Sequence, residues 1–193
     1  MSSWQATERY GLHPAPGGLA LVQDFVNTRA IVGKGIDLLS EVTLATTWVA
    51  QAANAWASER GLKGRSPVLT INDVAKLRHL RGVLHDLLTG GPPSAPVPLS
   101  GAASFALSDD GEVRWEPTGK GWRWLSSALW SEVLLSQQNR TWLRLKTCRN
   151  ARCSSAFYDR SKNGSGVWHD VKVCGNAANL RASRARRRAA THG

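Results

Sequence analysis

CRNARCSSAFYDRSKNGSGVWHDVKVCGN, residues 148–176, holds all three cysteines of a 193-residue chain. Four residues separate Cys148 from Cys153, and four separate His169 from Cys174, so the pattern is C-x4-C-x15-H-x4-C. Two such pairs suit two chain corners that close on one ion, each corner turning so that both its side chains point inward. Zinc takes four cysteine or histidine ligands in a tetrahedron, and Cys148, Cys153, His169 and Cys174 supply that set for one Zn2+. Asp170 is the competing oxygen ligand. If His169 does not bind, a three-cysteine site with one open position results, as in catalytic zinc centres. The plain alternative is a set of ordinary buried thiols beside a surface histidine.

Within this stretch AFYD and GVWH read as short strands around the turn SKNGSG, and CGNAANLRASRARRRAA (174–190) reads as a helix whose first turn carries the last ligand. Residues 140–193 offer only ten large apolar side chains, Trp142, Leu143, Leu145, Phe157, Tyr158, Val167, Trp168, Val171, Val173 and Leu180. A unit so poor in core needs a staple, and a structural zinc can contribute on the order of 10 kcal/mol of folding free energy.

Charge divides the chain at the same place. Residues 1–139 contain 12 Lys+Arg and 12 Asp+Glu, whereas residues 140–193 contain 13 Lys+Arg against Asp159 and Asp170, so the whole net charge of +11 lies in the last 54 residues. This predicts two domains, 1–139 and 140–193, the second drawn to phosphate polymers. On a helix Arg181, Arg184 and Arg188 share one face, with Arg186 and Arg187 beside them. These five are the candidate nucleic-acid contacts, DNA before RNA, since arginine can also grip guanine edges in a major groove. A solvated basic tail is the bland alternative.

Upstream the pattern is helical. Residues 1–18 read as an irregular arm. GLALVQDFVNTRAIV (18–32), LLSEVTLATTWVAQAANAWASERG (38–61), NDVAKLRHLRGVLHDLLTGG (72–91) and WRWLSSALWSEVLLSQQ (122–138) carry apolar residues at helical spacing, with Ser40 and Asn72 as expected N-caps. Residues 92–101 read as a linker, and SFALSDDGEVRWEP (104–117) as a β-hairpin turning at Asp109-Asp110-Gly111. The fold class is α+β and mostly helical: a helical domain with one small hairpin, then a small finger ending in a basic helix. Seven of the nine tryptophans lie between Trp48 and Trp142, in or just after these elements, and are expected in packing.

There is no Walker loop, nucleophile elbow, H-E-x-x-H or G-x-G-x-x-G sequence, and no catalytic residue is assigned. Asp24, Asn27 and Thr28 share one side of the first long helix, at i, i+3 and i+4, and with Arg29 they could line a pocket for a small effector or form a buried polar network. The rival to a regulator is an enzyme or binding protein that uses this pocket, the finger being structural. No window approaches the ~18 apolar residues of a membrane span, and the start lacks a signal-peptide pattern, so a cytoplasmic protein with reduced cysteines is expected.

The C-x4-C knot, F-Y-D-R-S-K-N-G, a tryptophan, a ligand position and C-G-N together resemble the CGNR zinc-finger family of bacterial proteins. LALVQDFVNTRA resembles the opening of the helical ABATE domain that usually precedes that finger. The resemblance implies zinc binding and transcription regulation. Two positions depart from the pattern: His169 stands where the family usually has cysteine, and Ala177 where its motif ends in arginine. Arg181, one helical turn onward, is placed to take over that arginine's role.

Overall fold

The structure, a computed structural model, describes residues 4–31, 33–91 and 101–190. Apart from Gly101, the expected linker lies outside the described residues. Six α-helices are present among them: α1 (Gln5–Glu8), α2 (Leu19–Val26), α3 (Val42–Glu59), α4 (Ile71–Thr89), α5 (Trp122–Gln138) and α6 (Asn176–Ala190). Two antiparallel hairpins accompany them, β1 (Ala103–Leu107) with β2 (Val113–Pro117), and β3 (Leu145–Thr147) with β4 (Ala156–Tyr158). This is the mostly helical α+β architecture expected. No described helix is long and apolar enough to cross a membrane.

The centre is α2. It is shorter than its apolar pattern and buried on every side, because α1, α3, α4, α5 and β4 all pack around it. Phe25 stacks obliquely on Trp48 of α3 at 5.6 Å, and Trp56 meets Trp124 of α5 edge-on at 5.8 Å. Leu77, Leu80 and Leu84 of α4 and Leu125 and Leu129 of α5 complete the core, all fully buried. Truncating either of the buried indoles of α3 would cost about 3–5 kcal/mol. The tryptophans are packing residues: Trp4, Trp48, Trp56 and Trp124 lie in this core, and Trp115, Trp122, Trp130 and Trp142 pack against it.

The helix starts differ from the sequence reading for identifiable reasons. The hydroxyl of Ser40 donates to the Asp37 carbonyl at 2.7 Å and closes a turn, so α3 begins after Glu41. Thr70 rather than Asn72 caps α4. Its hydroxyl accepts from the Asp73 amide at 3.2 Å, and the Asp73 carboxylate accepts from the Thr70 amide at 2.8 Å, a reciprocal box that satisfies two otherwise orphaned donors. Gly90, with φ 75°, ends α4 in the left-handed region that a side chain disfavours. The amino-terminal arm is not wholly irregular: Trp4 is buried and α1 follows it, because the indole anchors there and donates to Glu59 at 3.3 Å. In the β1–β2 hairpin Ala103 faces Pro117 and Leu107 faces Val113, with the turn at the expected residues.

A buried helix end cannot leave polar groups unpaired. Asp24 accepts from the Thr7 amide at 2.7 Å and from Trp48 Nε1 at 2.8 Å. Thr28 donates to the Phe25 carbonyl and accepts from Arg81, whose guanidinium forks onto both oxygens of Asp37 at 2.7 Å. Gln23 and Asn27 reach β4, as described next. On the far side of α3, the buried Glu132 accepts from Trp56 Nε1 at 2.7 Å and pairs with Arg60.

Candidate metal centre

A single turn of 3-10 helix (Trp142–Arg144) leads from α5 into β3, and the β3–β4 hairpin carries the first two cysteines on its connection. Leu145 pairs with Tyr158 and Thr147 with Ala156, and Cys148 prolongs the ladder by donating to the Ser155 carbonyl at 2.9 Å. Between them the chain turns tightly. The Asn150 carbonyl accepts from the amides of Cys153 at 2.7 Å and Ser154 at 3.1 Å, and Ser154 takes φ 52°. Those bonds fold the x4 spacing into a knuckle with both sulfurs on its inner side.

The second pair arrives from a loop. GVWH forms no strand; the partner of β4 is β3, which precedes the knuckle. What shapes the loop instead is Asp159, buried beneath it. Its carboxylate accepts from the amides of Ser161 at 2.9 Å and Gly166 at 2.7 Å and from Lys146 Nζ at 2.8 Å. Burial works against its ionisation, but these donors outweigh it and hold its carboxyl far below the ordinary range. The Arg149 amide then donates to the Val167 carbonyl at 3.0 Å, bringing Trp168 and His169 alongside the knuckle. Asp170 caps the next turn, accepting from the Val173 amide at 2.9 Å through its side chain. The chain overwinds there into one π turn, Val171–Gly175, before α6. Gly175 allows this approach: a methyl in its place would sit 3.2 Å from the Trp168 ring.

The result is a cluster of Cys148, Cys153, His169 and Cys174, whose ligand atoms all lie within 4.8 Å of one another. Cys153 Sγ stands 3.4 Å from His169 Nδ1. A zinc tetrahedron with Zn–S near 2.3 Å and Zn–N near 2.05 Å places sulfur and nitrogen about 3.6 Å apart. The donor set and its spacing fit zinc, and His169, not Asp170, is the fourth member. The thiols themselves point the same way. Crowding divides them: a hydrogen bond from the Cys148 thiol holds Cys153 low, and the same bond, with burial, pushes Cys148 up. Burial, chiefly, raises Cys174. Three such sulfurs cannot all ionise side by side unless a cation joins them.

The finger is fastened to the helical part through α2. Asn27 Nδ2 donates to the Ala156 carbonyl at 2.9 Å, its Oδ1 accepts from the Ala156 amide at 2.8 Å, and Gln23 donates to the same carbonyl at 3.2 Å. Leu145 and Ala156 belong to the main core, whereas Phe157, Cys148, Cys174, Leu12 and Trp168 form a small one of their own.

Of the five terminal arginines, Arg181, though exposed, donates to Asn150 Oδ1 and braces the knuckle from α6. Arg184, Arg186, Arg187 and Arg188 are exposed as well. Of the residues grouped at the end of α2, Asp24, Asn27 and Thr28 are buried and engaged in the bonds described, while Arg29 is exposed and lines a cavity with α4. Sequence reasoning overlooked Asn150, Lys146 and Asp159, although a polar residue two after a ligand cysteine is a usable sign of a knuckle.

Residues 19–145 match the ABATE family model, described as "Putative stress-induced transcription regulator", and residues 144–187 match the CGNR zinc finger. The chain belongs to the ABATE family. No curated protein matches it. The ABATE match opens at Leu19, the first residue of α2, and the two matches meet at Arg144 and Leu145, where the chain passes from the helical core into the finger. The run LALVQDFVNTRA of this ABATE protein is thus the buried helix whose amides hold the finger. In the position one turn beyond Ala177, Arg181 braces the knuckle.

Proposed function

We propose that this ABATE protein is a DNA-binding transcriptional regulator of the cytoplasm. In this reading residues 140–193 form the DNA-contacting finger, and residues 1–139 a domain that responds to a small effector. One observation carries the reading. The helix bearing the exposed arginines begins two residues after the last cysteine of the cluster, so the ion that closes the cluster would also fix the direction of that helix. A rigid helix can lay Arg184, Arg187 and Arg188 along a phosphate backbone, with Arg186 reaching an adjacent phosphate; a frayed tail would lose that gain to ordering entropy. Four protein ligands close the metal, which favours a structural zinc over a catalytic one. Arg181 serves as brace rather than as a contact.

The test is a titration of duplex DNA against salt. If about four arginines meet phosphates, log affinity falls against log salt with a slope near −4. Arg184→Gln/Arg188→Gln should flatten the slope by about 2 units. A slope near zero, or one that the double variant leaves unchanged, would refute the reading.

A further inference from the structure

A cavity of ≈ 380 Å³ lies between the end of α2 and one side of α4, lined by Val26, Arg29, Asp37, Arg78, Arg81, Gly82 and His85. Its volume falls within the range of small-molecule sites. Its charge is unbalanced. Three guanidiniums face one carboxylate, and Asp37 already spends both oxygens on Arg81. Arg29 and Arg78 are exposed, and neither side chain makes a hydrogen bond or ion pair among the described residues. Arg78, Arg81 and His85 recur along α4 at i, i+3 and i+7, so one helix face supplies them.

Two further observations point to an occupant. His85 Nε2 is buried and has no hydrogen-bond partner. Burial, and then the charge of Arg29, lower this imidazole's pKa, while Asp86 and the Ser154 backbone act the other way. Gly82 sits mid-helix, where glycine costs about 0.5–1 kcal/mol relative to alanine, yet a methyl there would meet nothing within 4 Å. Packing therefore does not require the glycine. It leaves the helix backbone open to close approach from the cavity.

We propose that this cavity binds the phosphate group of a small phosphomonoester. The proposal names the ligand class of the effector domain and rests on that reading. Two unneutralised guanidiniums suit a dianion, and the ester's three free oxygens can accept from two planar forks together. Since His85 also lines a second cavity, with Cys148, Ala151 and Ser154, the bound group would border the metal knuckle.

The experiment is calorimetric titration of the zinc-loaded full chain in buffer free of phosphate and sulfate, with ribose 5-phosphate, inorganic phosphate and ribose as probes. The sugar phosphate is expected to bind at one per chain and ribose not at all. Arg29→Gln/Arg78→Gln should weaken binding about tenfold or more for each arginine removed. Both side chains are exposed, so the variant keeps its fold. Arg184→Gln/Arg186→Gln should bind as tightly as the parent. Absence of binding, equal binding by the Arg29/Arg78 variant, or loss of binding in the tail variant would overturn the site; equal affinity for inorganic phosphate would overturn the ester. DNA titration run separately keeps the two readings apart: a chain that binds DNA but no phosphoester loses only this inference, and one that binds the phosphoester but no DNA loses the regulator.

Discussion

Asn27 holds the backbone of Ala156 by both ends of one side-chain amide, donating to its carbonyl at 2.9 Å and accepting from its amide at 2.8 Å. A side chain of α2 thus pairs with β4 much as a neighbouring strand would. It does so where both partners are buried and no water can replace it. Asn27→Ala would orphan the buried Ala156 amide and leave its carbonyl only the longer bond from Gln23, and the expected loss is about 1–3 kcal/mol. Asn27→Asp keeps the acceptor, removes the donor and adds a buried charge, and should be no milder. Urea midpoints check both, and the same variants should bind zinc more weakly if β4 helps position the knuckle.

Gly18 lies against the carboxylate of Glu132, and a methyl on Gly18 would collide with its oxygens. Glu132 cannot simply move aside: it is buried, bonded to the Trp56 indole and paired with Arg60. Gly18→Ala is therefore expected to destabilise the helical core by about 2–3 kcal/mol through the displaced, unpaired carboxylate. Glu132→Ala alone should cost a similar amount. Because both act on one arrangement, the double variant should lose clearly less than the sum of the two, as read from unfolding free energies. Full additivity would show that Gly18 matters for some other reason.

Burial pushes the Asp24 carboxyl up to about 6, against the hydrogen bonds from Trp48 and Thr7 that favour its ionised form. In the unfolded chain an aspartate titrates near 3.9. Between those values the folded protein retains a proton that the unfolded chain has released, so this group's contribution to stability falls as pH rises through the window. Two pKa units correspond to about 3 kcal/mol. Asp24→Asn removes the titration. Relative to the parent, the variant should gain stability by roughly that amount between pH 4 and pH 7, whatever fixed cost the amide adds. Comparison of the two proteins cancels the titration of the cysteines, which both share. Unfolding free energies differing by a constant across this range would contradict the assignment.

The metal cluster was legible because its signal is covalent spacing: two x4 pairs identify two corners wherever the intervening loop goes. The hairpin and α5 were legible for a similar reason, since Asp109-Asp110-Gly111 and the apolar pattern of 122–138 act locally. GVWH was misread because its backbone is shaped by Asp159 beneath the loop, a contact that no local pattern announces. Asn72 reads as a cap because asparagine is a good one, but Thr70 is equally suited, and the reciprocal bond to Asp73 gives it the position. The polar side of α2 was visible as a group, but sequence alone could not separate Arg29, which faces a cavity, from Asp24, Asn27 and Thr28, which hold buried partners.

Removing the metal should divide the finger along the line its packing draws. Cys148, Cys153 and Cys174 donate their amides to Ser155, Asn150 and Asp170, in turns whose side chains converge on the cluster. Leu145 and Ala156 belong instead to the main core, and Asn27 secures Ala156 independently of the ion. Without a cation the three sulfurs become buried thiols in mutual conflict, and the knuckle, the π turn and α6 lose the interaction that orders them. Hydrogen exchange after chelation is therefore expected to show lost protection at the Cys153 and Cys174 amides and along α6. Protection should persist at Ala156 and throughout α2, α3 and α5. Exchange is the right measure because it reads each amide separately, whereas a single melting curve would merge the two parts. Metal-free protein whose Cys174 amide stays protected would show that the small core of Phe157, Leu12 and Trp168 orders the finger unaided.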